Sequence, residues 1–469
     1  MTLLPTASSA CAQHSSTARS RQLAMVFAAT SLALLCAAGD VSADTRCGTE
    51  LQNNVCLGAD PLCPGTATPL GPNPGSWPGF QRDLQHTGRS PVAGPTCNNV
   101  LWTRKLKGRI LAAPVLVQRI AGAPESLYVP VGKEPICALD PLTGAIEWCG
   151  TNELGKIADR SSPTVGNGSL LYVGTRDNDL WAINVPSASQ VPHATVAWRQ
   201  KVCTDGDVTT PPTIGNNGIV YMGSDSLGAG TLMAMCPGEQ QQVKWCINPV
   251  GGGGIRNASP ALSPNGERLY TTIGAGGLAA FDPEAGTELW RVQFEPPGGV
   301  GRAPNYAPVV HPLGGTIYLG TNKGIWAVEH VVDPETGKEG ASARLLFDTT
   351  GLRERVYSPP AIDVLNDTLV FGASRGNSST LYATDLQGNL KWKKPMPRGR
   401  FRNNPAVTDV DGRIYVAFGK ALYAFAANGT PLWTLPGVLS YESSPILASG
   451  RLYVGTTNGN VLAIGGCPP

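Results

Sequence analysis

One phrase recurs eight times along this 469-residue chain, and it limits the possible folds more than any other feature. A proline followed by alternating apolar residues appears in "AAPVLV", "SSPTVG", "PPTIGN", "ASPALS", "YAPVVH", "SPPAID", "NNPAVT" and "SSPILA". The prolines are Pro114, Pro163, Pro212, Pro260, Pro308, Pro360, Pro405 and Pro445, at intervals of 49, 49, 48, 48, 52, 45 and 40 residues. A period of this length is the signature of stacked or circular supersecondary units that cannot bury an apolar face alone.

Each copy continues with three more short phrases. The second is of the type "LYVGT", and the third carries a central alanine, at Ala138, Ala182, Ala234, Ala280, Ala327, Ala383, Ala424 and Ala463. The fourth ends in an aromatic residue: Trp148, Trp198, Trp245, Trp290, Trp392 and Trp433, with Phe347 in the fifth unit. The segments are rich in Val, Ile, Tyr and Trp and are separated by Asn-Gly or Asp-Gly pairs, so they are strands joined by hairpins. With 57 Gly, 40 Pro and only 15% charged residues, the composition suits a turn-rich β protein. Four strands in each of eight units predict an all-β, eight-bladed β-propeller of four-stranded blades. Unit eight lacks a fourth strand, and the orphan segment "NNVLW" before unit one supplies it, an N-terminal strand completing the last blade.

These phrases, the "ALDPLTGAIEW" ending above all, resemble the PQQ-like β-propeller repeat. That superfamily includes quinoprotein alcohol dehydrogenases and the propeller of the bacterial outer-membrane protein assembly machinery. The resemblance spans about 98–467, and "SWPGFQRDLQHTGRSP" resembles the leader that often precedes such repeats. It implies the fold far more firmly than an activity, because propellers host many functions.

Ahead of the repeats, Arg19 and Arg21 precede the apolar run 23–39, and Val41, Ser42 and Ala43 provide small residues for cleavage. Residues 1–43 therefore have the form of a signal peptide, too short an apolar run for a membrane span. Leu35 argues against a lipoprotein reading of Cys36. The expected domains are the signal at 1–43, a Cys/Pro/Gly-rich leader at 44–97 and the propeller at 98–467, exported to a periplasmic or extracellular space. A net charge of +2 gives no reason to expect nucleic acid.

Ten cysteines remain after residue 43, an even number with no metal-type spacing, so disulfides are expected. With Ala138 opposite Trp148, Cys137 and Cys149 are direct partners across a hairpin. With Ala463 opposite Trp102, Cys97 and Cys467 come within one residue of opposition, and their bond would lock the ring. Cys236 with Cys246 is expected by analogy with the first hairpin. Cys47, Cys56, Cys63 and Cys203 remain open.

Three motifs are better read as turns. Gly274, Gly276 and Ala279 spell a dinucleotide fingerprint, but they fall at a hairpin with no helix to follow. "GASRG" (372–376) matches a hydrolase elbow and "DVDG" (409–412) a calcium loop, yet both sit at repeat hairpins.

Function is sought at the channel mouth, where the first strand of each blade begins. Three positions before each repeat proline stand Leu111, Arg160, Thr209, Asn257, Asn305, Tyr357, Arg402 and Glu442. Seven are polar and the set diverges where a structural position would repeat, so they form the candidate ring. Arg160 and Arg402 suit carboxylates, and Asn257 and Glu442 suit a hard cation. The favoured reading is a non-catalytic, monomeric exported scaffold without cofactor, binding a protein or small ligand through its face or blade loops. The alternative is a PQQ- and calcium-dependent quinoprotein dehydrogenase, for which Asp159 is the nearest candidate to the superfamily's catalytic aspartate. Against it stand the absence of an adjacent cysteine pair, the lack of a cytochrome motif and the short chain.

Overall fold

The computed structural model describes residues 55–57, 63, 75–118, 125–132, 136–150, 161–166, 170–185, 194–202, 208, 210–224, 230–237, 242–248, 255, 258–273, 276–294, 306–401, 404–437 and 443–467. Residues Arg46–Pro469 form one compact unit; residues 1–43, the expected signal, lie outside the described residues.

Eight antiparallel sheets, one per repeat, build an eight-bladed β-propeller. In blade 1 the strands run from the axis outward as A (Val115–Gln118), B (Glu125–Pro130), C (Ile136–Leu139) and D (Ile146–Cys149). Blade 8 takes its outer strand, Val100–Lys105, from the N-terminal side, paired against Asn460–Ile464 with Trp102 opposite Ala463. The ring is therefore closed by hydrogen bonds between the two ends of the repeat array. Blade 3 carries a fifth strand, Val55–Leu57, on its outer edge. Among the described residues the sole helical element is the 3-10 turn Thr350–Leu352.

The repeated alanine and tryptophan fix the register. Ala faces Trp across strands C and D at Ala138–Trp148, Ala182–Trp198, Ala234–Trp245, Ala280–Trp290, Ala383–Trp392 and Ala424–Trp433, and a bulge follows each pair. The small side chain leaves room for the indole of one neighbour and the Tyr of strand B on the other, as in Tyr221 and Trp245, 6.1 Å apart. Both then reach the next blade. Tyr221 and Trp245 donate to the carbonyl of Pro283, and Tyr453 and Trp102 donate to Pro141, each acceptor lying in the following blade's C–D turn. Where blade 8 has no such turn, Pro95 of the leader replaces it for Tyr415 and Trp433.

Blade 5 departs from the expected register. Phe347 lies opposite Ile325 rather than Ala327, because the bulge falls between Ile325 and Trp326. It still packs against blade 6, with ring centroids 5.5 Å from Phe371 and 5.4 Å from Tyr382.

The disulfides test the register further. Cys137 lies opposite Cys149 and is bonded to it, and Cys97 is bonded to Cys467 across 370 residues. Cys236 does not pair with Cys246, contrary to the analogy; it is bonded to Cys63 of the leader. The reason is positional: Cys137 immediately precedes its alanine, whereas Cys236 comes two residues after Ala234 and beyond the bulge. Cys246 faces Met233 instead, and its backbone partner on the outer side is Cys56. Cys246 is itself disulfide-bonded. Cys47 and Cys203 lie outside the described residues.

Two outcomes follow for stability. Non-reducing peptide mapping should recover Cys63–Cys236, Cys97–Cys467 and Cys137–Cys149, and the paired Cys97→Ser and Cys467→Ser substitutions should cost roughly 2–5 kcal/mol in denaturant unfolding. Gly286, at φ +70° in the turn seated on Trp245, would bring a Cβ to 2.7 Å from the indole. Gly286→Ala should therefore destabilise by about 2 kcal/mol or more.

Candidate functional site at the propeller axis

Strand A of every blade is an inner edge, and an edge strand leaves one row of N–H and C=O groups without a strand partner. Part of this need is met between blades. Ser443 Oγ donates to Ala112 O, Ser161 Oγ to Thr210 O and Ser259 Oγ to Pro211 O, while Ala113 N donates to Ser162 Oγ. Thr164 and Thr213 reach the carbonyls of Pro212 and Pro260 at 2.6 Å. The small hydroxyl residues around the repeat prolines thus stitch neighbouring inner strands together.

The leader meets the rest. Its residues 75–90 wind around the axis and present carbonyls to inward N–H groups: Pro78 to Val165, Leu84 to Leu262, Gln85 to Val310, Thr87 to Ile362 and Gly88 to Thr408, all at 2.8–2.9 Å. Trp77 exchanges two hydrogen bonds with Leu116 of blade 1, and Gly75 accepts from Ser449 of blade 8. Blade 3 is reached by a side chain, His86 Nε2 lying 3.4 Å from Thr213 Oγ1. All eight blades therefore touch one segment. Turning so tightly requires left-handed backbone at Gln81, Arg82 and His86 as well as Gly88.

The donor amides lie two or more residues past each repeat proline, which places the plug at the end of the axis where strand A turns into strand B. Because strands alternate in direction, A–B and C–D turns share that face, and B–C hairpins and D–A connections share the other. The candidate ring belongs to the D–A face. Of its positions, Leu111 is buried and Tyr357 packs against the apolar cluster that contains Phe401 and Phe418. Arg160, Thr209, Asn257, Asn305, Arg402 and Glu442, together with Asp159, lie outside the described residues.

A cavity of about 300 Å³ remains between the leader and blades 2 and 3, lined by Phe80, Arg82, Asp83, His86, Thr213 and Asn216 among others. Burial pushes the Asp83 carboxyl up, even though it accepts hydrogen bonds from the Thr87 amide and hydroxyl. Burial pushes the His86 imidazole down to about 4, against the opposing hydrogen bond from Nδ1 to Pro308 O. His86 is thus neutral near pH 7, and it serves as a spacer between blades 3 and 5. The polarity of "QRDLQH" was legible in the sequence, but no local signal placed those residues on the axis.

The three motifs lie at or beside repeat hairpins where they are described. Gly276 opens directly into strand Gly277–Phe281 with no helix, and Gly274 lies outside the described residues. Ser374 is buried within strand Thr368–Arg375 and bonds Ser379 Oγ at 2.7 Å. Asp409 and Asp411 pair with Arg413 at 3.0 and 2.6 Å across their hairpin. Among the described residues no cluster of three or more His, Cys, Asp or Glu is placed to hold a metal ion. No described helix is long and apolar enough to cross a membrane.

With eight four-stranded blades around a plugged axis, the chain falls within the PQQ-like propellers. A family model described as "Outer membrane protein assembly factor BamB" matches 94–255 and 252–387, and the chain belongs to that family. Curated proteins give no sequence match. Among solved structures, the quinohemoprotein alcohol dehydrogenase from Comamonas testosteroni aligns with a TM-score of 0.66 at 16% identity, covering 84% of this chain and 81% of that one. BamB from Moraxella catarrhalis aligns at 0.52 and 16% identity, covering 79% and 98%. Saccharomyces cerevisiae Sqt1 aligns at 0.56 and 12% identity, covering 78% and 98%. At these identities the likeness is one of fold.

The buried histidine sets a pH dependence. Its folded value of about 4 lies below the ordinary 6.5, so the unfolded chain takes up the proton first as pH falls. Stability present above pH 6.5 is therefore lost between about 6.5 and 4, by on the order of 3 kcal/mol. Asp83, raised by burial, works in the opposite sense. The check is the difference in urea-unfolding free energy between wild type and His86→Gln from pH 7 to 4: the wild type should fall more steeply.

Proposed function

We propose that this chain is an exported, non-catalytic propeller scaffold that binds a protein or small ligand through its faces and blade loops. The observation that carries this reading is the plug. The chain's own backbone takes up the axis from the A–B face and accepts from backbone N–H groups of seven blades, so that end of the channel serves architecture. Membership of an assembly-factor family and the disulfides, which suit an oxidising compartment, support the same reading.

The dehydrogenase alternative draws support from the fold it shares with the Comamonas enzyme. A quinone in the channel would need cations for its carboxylates and oxygen ligands for calcium. The described channel wall instead presents proline, alanine and hydroxyls already committed to carbonyls of neighbouring blades. That wall does not fit the group. The remaining test falls on the ring.

Calorimetric titration of the full chain with PQQ and calcium, followed by a dye-linked alcohol assay, separates the two readings. The scaffold predicts no saturable heat and no turnover, and it predicts that Arg160→Ala or Arg402→Ala shifts stability by about 1 kcal/mol or less. Micromolar or tighter PQQ binding that is lost in Arg402→Ala, with turnover, overturns it.

A further inference from the structure

On the D–A face, blades 6 and 7 carry cations that arrive from four separate chain segments. Arg355 lies directly opposite Ser374 in the pairing of Arg355–Val356 with strand Thr368–Arg375, which sets it beside Arg375 at that strand's end. Arg400 Nε donates to the carbonyl of Gly376, the residue after Arg375. Gly399 N donates to Asn377 O, and Gly399 abuts Phe418, which brings Arg398 against the hairpin that ends in Lys420. Arg353, in left-handed backbone after the turn Thr350–Leu352, extends the row toward blade 5.

Arg353, Arg355, Arg375, Arg398, Arg400 and Lys420 are all exposed, and among the described residues none has an acidic partner. Among the described residues, the carboxylates of Glu354 and Asp348 lie nearby and are both committed. Glu354 is buried and accepts from Thr380 and Tyr382. Asp348 caps the Thr350 amide. The opposite face holds the balancing charge: the C–D turns there carry Asp140, Asp282, Glu284, Asp333, Glu335 and Asp385. The described loops of blades 6 and 7 on this face are thus cationic, opposite turns that carry carboxylates.

We infer that the D–A face of blades 6 and 7 is a docking surface for an acidic, extended segment of a partner protein. This rests on the scaffold reading and supplies the partner's chemistry. Five arginines favour carboxylates, which they grip with paired donors. The six cations span two blades, which matches a short acidic stretch. Against a nucleic acid, the aromatics beside these cations, Tyr357, Phe401 and Phe418, pack into one apolar cluster rather than standing free for base stacking.

The test uses the full chain and a fluorescein-labelled peptide of sixteen alternating Asp and Glu, followed by anisotropy. Binding is expected at about 50 mM NaCl and should weaken about tenfold or more by 300 mM, as contacts between exposed charges are screened. Arg398→Glu with Lys420→Glu should weaken it about tenfold, as should Arg353→Glu with Arg355→Glu, each with an unchanged Tm. Lys338→Glu on the opposite face should leave it within about twofold. Absent binding, indifference to both reversals, or stronger binding to single-stranded DNA or phosphatidylglycerol vesicles overturns the proposal. Peptide binding together with PQQ turnover would sink the scaffold reading and leave the surface standing; absence of both would do the reverse.

Discussion

Everything in this propeller depends on how eight inner edge strands dispose of the backbone groups that point at the axis. A buried N–H without an acceptor costs free energy comparable to a lost hydrogen bond, and a ring of blades multiplies that cost by its symmetry. Water in an open channel is one solution. Here the solution is a second piece of backbone: carbonyls of residues 78–88 rotate around the axis and meet Val165, Leu262, Val310, Ile362 and Thr408 in turn. The left-handed residues in the leader are the geometric consequence of serving so many directions within so few residues.

Between blades the same economy appears at larger radius. One tyrosine and one tryptophan converge on one proline carbonyl of the next blade, so a buried phenol and a buried indole are satisfied by a group that also terminates a turn. The substitution of Pro95 where blade 8 lacks its own turn shows that this contact is required by the packing rather than by the local repeat.

The blades were legible in the sequence because their determinants are local and repeated. Ala138 opposite Trp148 and Ala463 opposite Trp102 gave the registers that set Cys137 against Cys149 and Cys97 near Cys467. What escaped depended on contacts without periodicity. Cys236 was matched to Cys246 by resemblance to the first hairpin, but a bulge separates it from that ladder and a leader cysteine reaches it first. The plug escaped for the same reason, since Thr87 and Ile362 meet across 275 residues with no shared pattern to announce it. The cationic sector is likewise assembled from four segments, of which only "KWKKPMPRGR" stands out when read linearly.

The position of the plug in the chain also governs the order of folding. Residues 75–90 are made before any blade, yet their partners include Thr408 and Ser449, and the strand that completes blade 8 pairs with Asn460–Ile464. Contacts of such sequence separation carry a large loop-closure entropy and form late. The first blades emerge with open inner edges and no satisfied axis, so their stability on their own is low. The molecule becomes rigid only when its last strands arrive, and it does so around a segment that has waited since the beginning of synthesis.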